Sequence, residues 1–147
     1  MNKLKKDFIG KVFITNNSKA TKTLGRNFAK SLRVGDIICL YGDLGSGKTT
    51  FVQGLAEGIG VKEKIISPTF IIIRTYPSKN FYHIDLYRIE NDHIKGLGLE
   101  EILEDPFSIT AIEWAQNLKS LMPEKRIDVK FSYSGENKRK VTFTLGF

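Results

Sequence analysis

Eight residues, Gly42 to Thr49, have the types and the spacing of a loop that binds phosphate groups. They read Gly-Asp-Leu-Gly-Ser-Gly-Lys-Thr, which fits the pattern G-x-x-x-x-G-K-[ST]. Glycines let the backbone approach a polyphosphate so that N–H groups surround it, and the positive end of a following helix favours the same anion. Lys48 is therefore expected to contact the β- and γ-phosphates, and the hydroxyl of Thr49 to bind Mg²⁺.

The segments on either side of this loop support that interpretation. Residues 37–41 form an apolar run typical of a buried strand, and apolar residues recur with helical spacing after Thr49. Strand, glycine loop and helix is the order in which such loops occur. We predict that the nucleotide is bound by Gly42, Asp43, Leu44, Gly45, Ser46, Gly47, Lys48, Thr49 and Thr50. GTP is disfavoured because no guanine-recognition sequence Asn-Lys-x-Asp follows the loop.

A nucleotide site with Mg²⁺ also needs a carboxylate near Thr49 and a polar group that positions water. Glu113 ends an apolar run, as a metal ligand at the carboxyl end of a strand would, although an acid at the start of a helix is an alternative. Asp85 lies within the segment His83–Arg88 and is predicted to orient the attacking water or bind the metal. Its alternative is an ion pair with Arg74 or Arg88.

Other residues carry weaker signals. Ser67, Pro68 and Thr69 precede a predicted strand, where Thr69 is a candidate switch residue near the γ-phosphate, although a simple turn is the favoured reading of the pattern. The sequence favours a packed or surface strand residue at His83, rather than a catalyst or metal ligand, and a packing role for Trp114 rather than base stacking.

The remaining candidates are a charged residue and a thiol. Arg139, on a C-terminal hairpin, is expected at the surface rather than at a nucleotide. Cys39 is the chain's one cysteine and lies in an apolar run, which predicts a buried core residue without chemistry.

The apolar patterns predict an α/β fold with mixed strand directions. A first strand is expected over residues 8–14, followed by a helix whose capping residues are supplied by Asn16, Asn17 and Ser18, with Ser18 as a plausible cap. Hairpins are expected over 71–88 and 127–145, with a short helix near Leu99 and another that ends before Pro123. Together these elements predict one P-loop NTPase-like, three-layer domain over residues 1–147, with a mixed central sheet and a C-terminal antiparallel β-hairpin.

Composition and charge limit the class of protein to which this chain can belong. The 147 residues include 41% apolar residues, enough for a sizeable core, and no uncharged apolar stretch is long enough for a membrane span. We expect a cytoplasmic protein without a membrane partner. The net charge of +7 arises largely from basic residues near the two ends, which form either a functional patch or a solvated surface.

Four motifs in order resemble the TsaE family, also called YjeE, of bacterial ATPases. They are Gly42–Thr50, Ser67–Phe70, His83–Arg88 and Ile112–Trp114. The phosphate loop alone occurs in many proteins, whereas the ordered set is specific, and the resemblance runs from about Ser18 to the last hairpin.

The resemblance implies a weak Mg²⁺-dependent ATPase that helps to form threonylcarbamoyladenosine beside the anticodon of tRNAs reading codons that begin with A. Its partners would be TsaD and TsaB, which perform the transfer, with tRNA contacted indirectly and ATP hydrolysis resetting the complex. Lys48 would bind phosphates, Thr49 and Glu113 would hold Mg²⁺, and Asp85 would serve the nucleotide or its attacking water. Ser18 would contact the edge of the nucleotide.

Two alternatives remain open from the residues. A P-loop small-molecule kinase would share the phosphate loop, although the chain has no obvious arginine-rich lid. A non-catalytic tRNA-binding module would use the basic ends, and its binding would weaken steeply with salt.

Overall fold

The central sheet is mixed, with parallel strands in the middle and antiparallel strands outside. The structure is a computed structural model and describes residues 1–65, 72–89, 94 and 96–146. Within these residues the sheet has seven strands, in the order β1-β7-β6-β2-β5-β4-β3. They are β1 (Val12–Thr15), β2 (Ile37–Tyr41), β3 (Ile73–Tyr76), β4 (Phe81–Asp85), β5 (Ile109–Glu113), β6 (Ile127–Gly135) and β7 (Lys138–Leu145).

The parallel strands bring the predicted site residues to one edge of the sheet. Strand β2 pairs in parallel with β5 and β6, and β4 pairs in parallel with β5, whereas β1, β3 and β7 pair antiparallel with their neighbours. Asp85 and Glu113 end adjacent strands and are direct register partners. The predicted mixed sheet and the C-terminal antiparallel hairpin are therefore confirmed.

Helices cover both faces of the sheet and create three layers. The helices are α1 (Lys3–Lys6), α2 (Ser18–Ala29), α3 (Lys48–Ile59) and α4 (Leu99–Glu104), with a 3₁₀ segment at Ala115–Leu121. Alternate residues of β2 face opposite layers: Ile38 and Leu40 join the core under α2 and α3, whereas Ile37 and Cys39 join the core under α4. No helix in the described ranges is long and apolar enough to cross a membrane.

Cys39 is a core residue, as predicted. Its side chain is fully buried, and burial raises the pKa of its thiol to about 12. The thiolate that would act as a nucleophile or metal ligand is therefore disfavoured.

Two predicted boundaries near the N-terminus were wrong. The first strand begins at Val12 rather than residue 8, because the N–H groups of Phe8 and Ile9 both donate to the carbonyl oxygen of Lys5 and continue a helical turn. Helix α2 is capped by Asn17, whose side-chain oxygen accepts a hydrogen bond from the N–H of Ala20 at 2.8 Å. The cap is therefore the middle one of the three predicted capping residues, and Ser18, named as the plausible cap, is the first residue of the helix.

Other boundaries also moved. Strand β4 ends at Asp85, three residues before the predicted end of its hairpin, and the part of that hairpin at residue 71 lies outside the described residues. The predicted helix before Pro123 is a 3₁₀ segment broken at Lys119, where φ is 52°. The kink at Lys119 lies between Leu118 and Leu121, the two apolar residues on whose spacing the helix prediction rested.

Helices α2 and α3 approach so closely that their contact requires glycine. A Cβ atom on Gly54 would lie 1.9 Å from the carbonyl oxygen of Lys22, and one on Gly25 would lie 2.3 Å from the carbonyl oxygen of Phe51. Both distances are shorter than any real contact, so a side chain would push the helices apart. This contact sets the position of α3, whose first turn carries Lys48 and Thr49.

Gly54→Ala should therefore destabilise the protein, although alanine is the better helix former by about 1 kcal/mol. We expect the free energy of unfolding, measured by urea denaturation, to fall by about 2 kcal/mol, since forced overpacking typically costs that much. The exposed Asn27 on α2 supplies the control, because Asn27→Ala changes helix propensity without entering the contact. A Gly54→Ala protein as stable as the wild type would contradict this account.

Candidate functional site

A cavity of about 770 Å³ lies at the carboxyl edge of the parallel strands. This volume is within the usual range for small-molecule sites. Its walls come from the phosphate loop, the start of α3, the ends of β4 and β5, the start of α2 and the C-terminal hairpin. The cavity therefore lies where an α/β sheet is expected to bind its ligand.

The loop from Gly42 to Gly47 has the backbone conformation that its glycines allow. Gly42, Gly45 and Gly47 all have positive φ, at 149°, 77° and 105°. A Cβ atom on Gly42 would lie 2.7 Å from the Ser46 hydroxyl and 2.8 Å from the carbonyl oxygen of Phe131. Helix α3 follows directly, and no described side chain caps its N-terminus. Its first N–H groups are thus open to an anion.

Lys48 is folded back onto the loop that precedes it. Its buried ammonium group donates to the carbonyl oxygens of Gly42 at 2.5 Å and Asp43 at 2.9 Å. Burial lowers the pKa of Lys48, while the neighbouring carboxylates of Glu113, Asp85 and Asp43 act in the opposite direction. An anion in the cavity would compensate this charge better than carbonyl dipoles do, so phosphate oxygens can displace these contacts.

Thr49 and Glu113 bring two oxygen ligands together. The Thr49 hydroxyl donates to both carboxylate oxygens of Glu113, at 2.8 and 3.1 Å. Glu113 is the last residue of β5 and is only 3% exposed, so it is not simply an acid exposed at a helix start. A hydroxyl and a carboxylate are hard donors of the kind that Mg²⁺ prefers.

The protein alone does not form a complete metal cage in the part of the chain that the structure describes. No cluster of three or more His, Cys, Asp or Glu side chains there could hold an ion. The oxygen pair of Thr49 and Glu113 fits an ion that takes its other ligands from a nucleotide and from water, as Mg²⁺ commonly does.

Asp85 lies beside Glu113 on the wall of the cavity. Its carboxylate is half-buried and accepts a hydrogen bond from the N–H of Tyr87 at 2.9 Å. Burial raises the pKa of Asp85, and the charge of Glu113 raises it further, against the opposing effects of the Tyr87 N–H, His83 and Lys48. The position suits a group that holds water near a bound phosphate.

Two residues that the sequence assigned to packing or to the surface line this cavity. The Trp114 ring lies 4.6 Å from the Lys48 ammonium, and its backbone has a φ of 57°, which is unusual for a bulky residue. Arg139 donates to the carbonyl oxygen of Gly45 at 3.3 Å. Tyr133, beneath Arg139 at 4.3 Å, donates to the carbonyl oxygen of Leu44 at 3.2 Å.

The far side of the cavity is formed by the start of α2. Ser18, predicted from the resemblance to contact the nucleotide, lies on this wall with Asn17 and Thr21. The predicted switch segment of Ser67, Pro68 and Thr69 lies outside the described residues.

Comparison with known proteins gives one consistent family. The sequence model described as threonylcarbamoyl adenosine biosynthesis protein TsaE matches residues 15–141. The chain is 38% identical over 132 residues to the tRNA threonylcarbamoyladenosine biosynthesis protein TsaE of Bacillus subtilis, covering 88% of this chain and 82% of that protein. It is 41% identical over 132 residues to the protein of the same name from Rickettsia felis, covering 87% and 76%.

A solved structure has the same fold. The crystal structure of YdiB from Bacillus subtilis superposes with a TM-score of 0.78 and 33% sequence identity. The match covers 93% of this chain and 86% of that one. The similarity therefore extends over almost the whole sheet and its helices.

The contact between Lys48 and the single tryptophan predicts an optical signal of anion binding. Inorganic tripolyphosphate, added without metal, should draw the ammonium from the ring and the loop carbonyls and change Trp114 emission in a saturable way. Lys48→Ala should abolish this response, measured by fluorescence titration.

The exposed Lys30 supplies a control of the same charge, and Lys30→Ala should respond like the wild type. Tripolyphosphate binding that calorimetry detects equally well in Lys48→Ala and in the wild type would refute the assigned anion site.

Proposed function

The chain belongs to the TsaE family of tRNA threonylcarbamoyladenosine biosynthesis proteins, and on that basis we propose that it is the Mg²⁺-dependent ATP-binding and ATP-hydrolysing subunit of this process. We propose that it acts in the cytoplasm with TsaD and TsaB, and that hydrolysis resets their complex between turnovers. In this proposal it is a weak ATPase and not the threonylcarbamoyl transferase, and it meets tRNA only through the complex.

The observation that carries this proposal is the contact between Thr49 and Glu113 beside the phosphate loop. A phosphate site alone would suit any nucleotide-binding protein. A buried carboxylate 2.8 Å from the hydroxyl that follows the loop lysine adds the ligand pair that nucleotide-bound Mg²⁺ requires. When bound, Mg²⁺ would neutralise and orient the β- and γ-phosphates.

The residues of the cavity have distinct roles in the proposed reaction. The N–H groups of the loop and of the first turn of α3 bind the phosphate oxygens, and Lys48 leaves the carbonyls of Gly42 and Asp43 to contact them. Asp85 accepts a hydrogen bond from a water and aims it at the γ-phosphorus. As the water oxygen bonds to the γ-phosphorus, the bond between that phosphorus and the bridging oxygen breaks and the bridging oxygen leaves on ADP. One proton of the water stays on the released phosphate, and the other passes to the solvent.

The contacts that Lys48 and Thr49 make within the protein also support slow hydrolysis by the isolated chain. Lys48 donates hydrogen bonds to two carbonyl oxygens, and the Thr49 hydroxyl donates a hydrogen bond to Glu113. Both groups must exchange these partners before they can bind a nucleotide and its metal. A partner protein that stabilises the conformation in which Lys48 and Thr49 have left these contacts would raise the rate of ATP hydrolysis without supplying a catalytic group of its own.

The direct test is ATP hydrolysis by the purified chain, alone and with its TsaD and TsaB. We expect a low rate alone and a higher rate with the partners. Lys48→Ala should lose nucleotide binding, because no other loop side chain supplies the charge. Glu113→Ala and Asp85→Asn should bind nucleotide but lose hydrolysis by tenfold or more, on the order of the usual contribution of such groups.

Matched controls use charged residues away from the cavity. Lys30 and Glu104 are exposed, and the alanine variant of each should hydrolyse ATP at the wild-type rate. A rate indifferent to the partners would overturn the proposed dependence on TsaD and TsaB. Full activity in Glu113→Ala would overturn the metal role, and phosphate transfer to a small metabolite would favour a kinase instead.

A further inference from the structure

His83 is a buried polar residue that touches the site without lining its cavity. Its ring is fully buried on β4, and its Nε2 atom lies 2.5 Å from Oε2 of Glu113. The sequence predicted a packed or surface strand residue at this position. An apolar side chain would be enough if this position only had to fill the core. A buried imidazole, in contrast, needs hydrogen-bond partners for its ring nitrogens.

The sheet explains how the two side chains meet. His83 and Asp85 lie two residues apart on β4 and so point to the same face, and Glu113 on β5 is the register partner of Asp85. This face lies under α3, which brings Thr49 to the other side of the carboxylate. Glu113 is therefore held between a donor from the sheet and a donor from the helix.

The proton in the His83–Glu113 contact can be placed by its partners. An ionised carboxylate only accepts hydrogen bonds, so Nε2 is the donor. The Nδ1 atom is buried and has no hydrogen-bond partner among the described residues. Donation from Nε2 to Oε2 is therefore the hydrogen bond that His83 makes within the described residues, and it orients the carboxylate of Glu113.

The two donors differ in what they can do when a metal is present. The Thr49 hydroxyl has lone pairs and can turn from the carboxylate to a cation, whereas the Nε2–H group can only donate. When Thr49 turns away from both carboxylate oxygens, His83 would thus keep Oε2 occupied and leave Oε1 open. The result is a carboxylate that presents one fixed oxygen next to the Thr49 hydroxyl.

We propose that His83 is the positioning residue for Glu113, fixing its carboxylate so that Oε1 and the Thr49 hydroxyl form a preset half-site for a divalent cation. This inference rests on the proposed Mg²⁺-nucleotide function and deepens it. Groups that hydrogen-bond to a ligating carboxylate typically change metal affinity by ten- to a hundredfold when removed.

The test compares two variants of similar size. His83→Leu removes the donor, whereas His83→Gln places an amide N–H at about the reach of Nε2. Mn²⁺ is the probe, and its binding to the complex of the chain with ADP is followed by electron paramagnetic resonance. We expect roughly tenfold weaker Mn²⁺ binding or more in His83→Leu, and recovery to within a few-fold of the wild type in His83→Gln.

A second measurement separates positioning from a general loss of structure. Metal-free ADP affinity, measured in chelator by calorimetry, should be unchanged in both variants, because the phosphate loop is intact. Tyr82→Leu, a change at the neighbouring β4 residue that points to the opposite face, should leave Mn²⁺ binding unchanged.

The outcomes distinguish this inference from the function on which it rests. If the wild-type complex with ADP binds no Mn²⁺, the proposed metal-nucleotide function fails. If the wild type binds Mn²⁺ and His83→Leu binds it equally well, only the role of His83 is overturned. Loss in both the Leu and Gln variants, with weaker metal-free ADP binding, would identify His83 as a purely structural residue and also overturn it.

Discussion

The contact between the Thr49 hydroxyl and the Glu113 carboxylate forms only because the first turn of α3 lies beside the end of β5. Strand β2 leads through the phosphate loop into α3, and its parallel neighbour β5 ends directly beside that turn. Only when α3 lies close to the sheet can its first residues reach a side chain at the end of β5. The geometry of the site therefore depends on how α3 packs in its layer against the sheet.

Two sets of contacts, one with α2 and one with the C-terminal hairpin, hold α3 and the phosphate loop in this position. Behind α3, Gly25 and Gly54 let α2 approach within backbone contact, which fixes the helix against the sheet. In front of it, the C-terminal hairpin supports the phosphate loop through Tyr133 and Arg139, which donate to the carbonyl oxygens of Leu44 and Gly45. The loop is therefore supported by a strand pair that lies far from it in the sequence.

The sequence predicts the parts of the site that depend on local pattern. The phosphate loop is one contiguous motif, and Glu113 ends an apolar run, so the topology of an α/β sheet is enough to place this acid near the loop. Asp85 lies inside the predicted hairpin, and its position beside Glu113 follows from where β4 ends and from its register with β5. The contact of His83 with Glu113 depends on strand register, which local pattern does not reveal. Likewise, Trp114 reaches the cavity through a left-handed backbone conformation. Arg139 reaches it because β7 pairs with β6, which itself pairs with β2.

The central claim is that Thr49 and Glu113 act as one metal-binding unit for a bound nucleotide. A double-mutant cycle tests it, with ADP affinity measured by calorimetry in Mg²⁺ and in chelator for Thr49→Ala, Glu113→Gln and the double variant. If the two residues share one ion, each single change should remove most of the Mg²⁺-dependent gain in affinity, and the second change should add little. Independent, additive losses, or an undiminished Mg²⁺ effect in Glu113→Gln, would contradict the account.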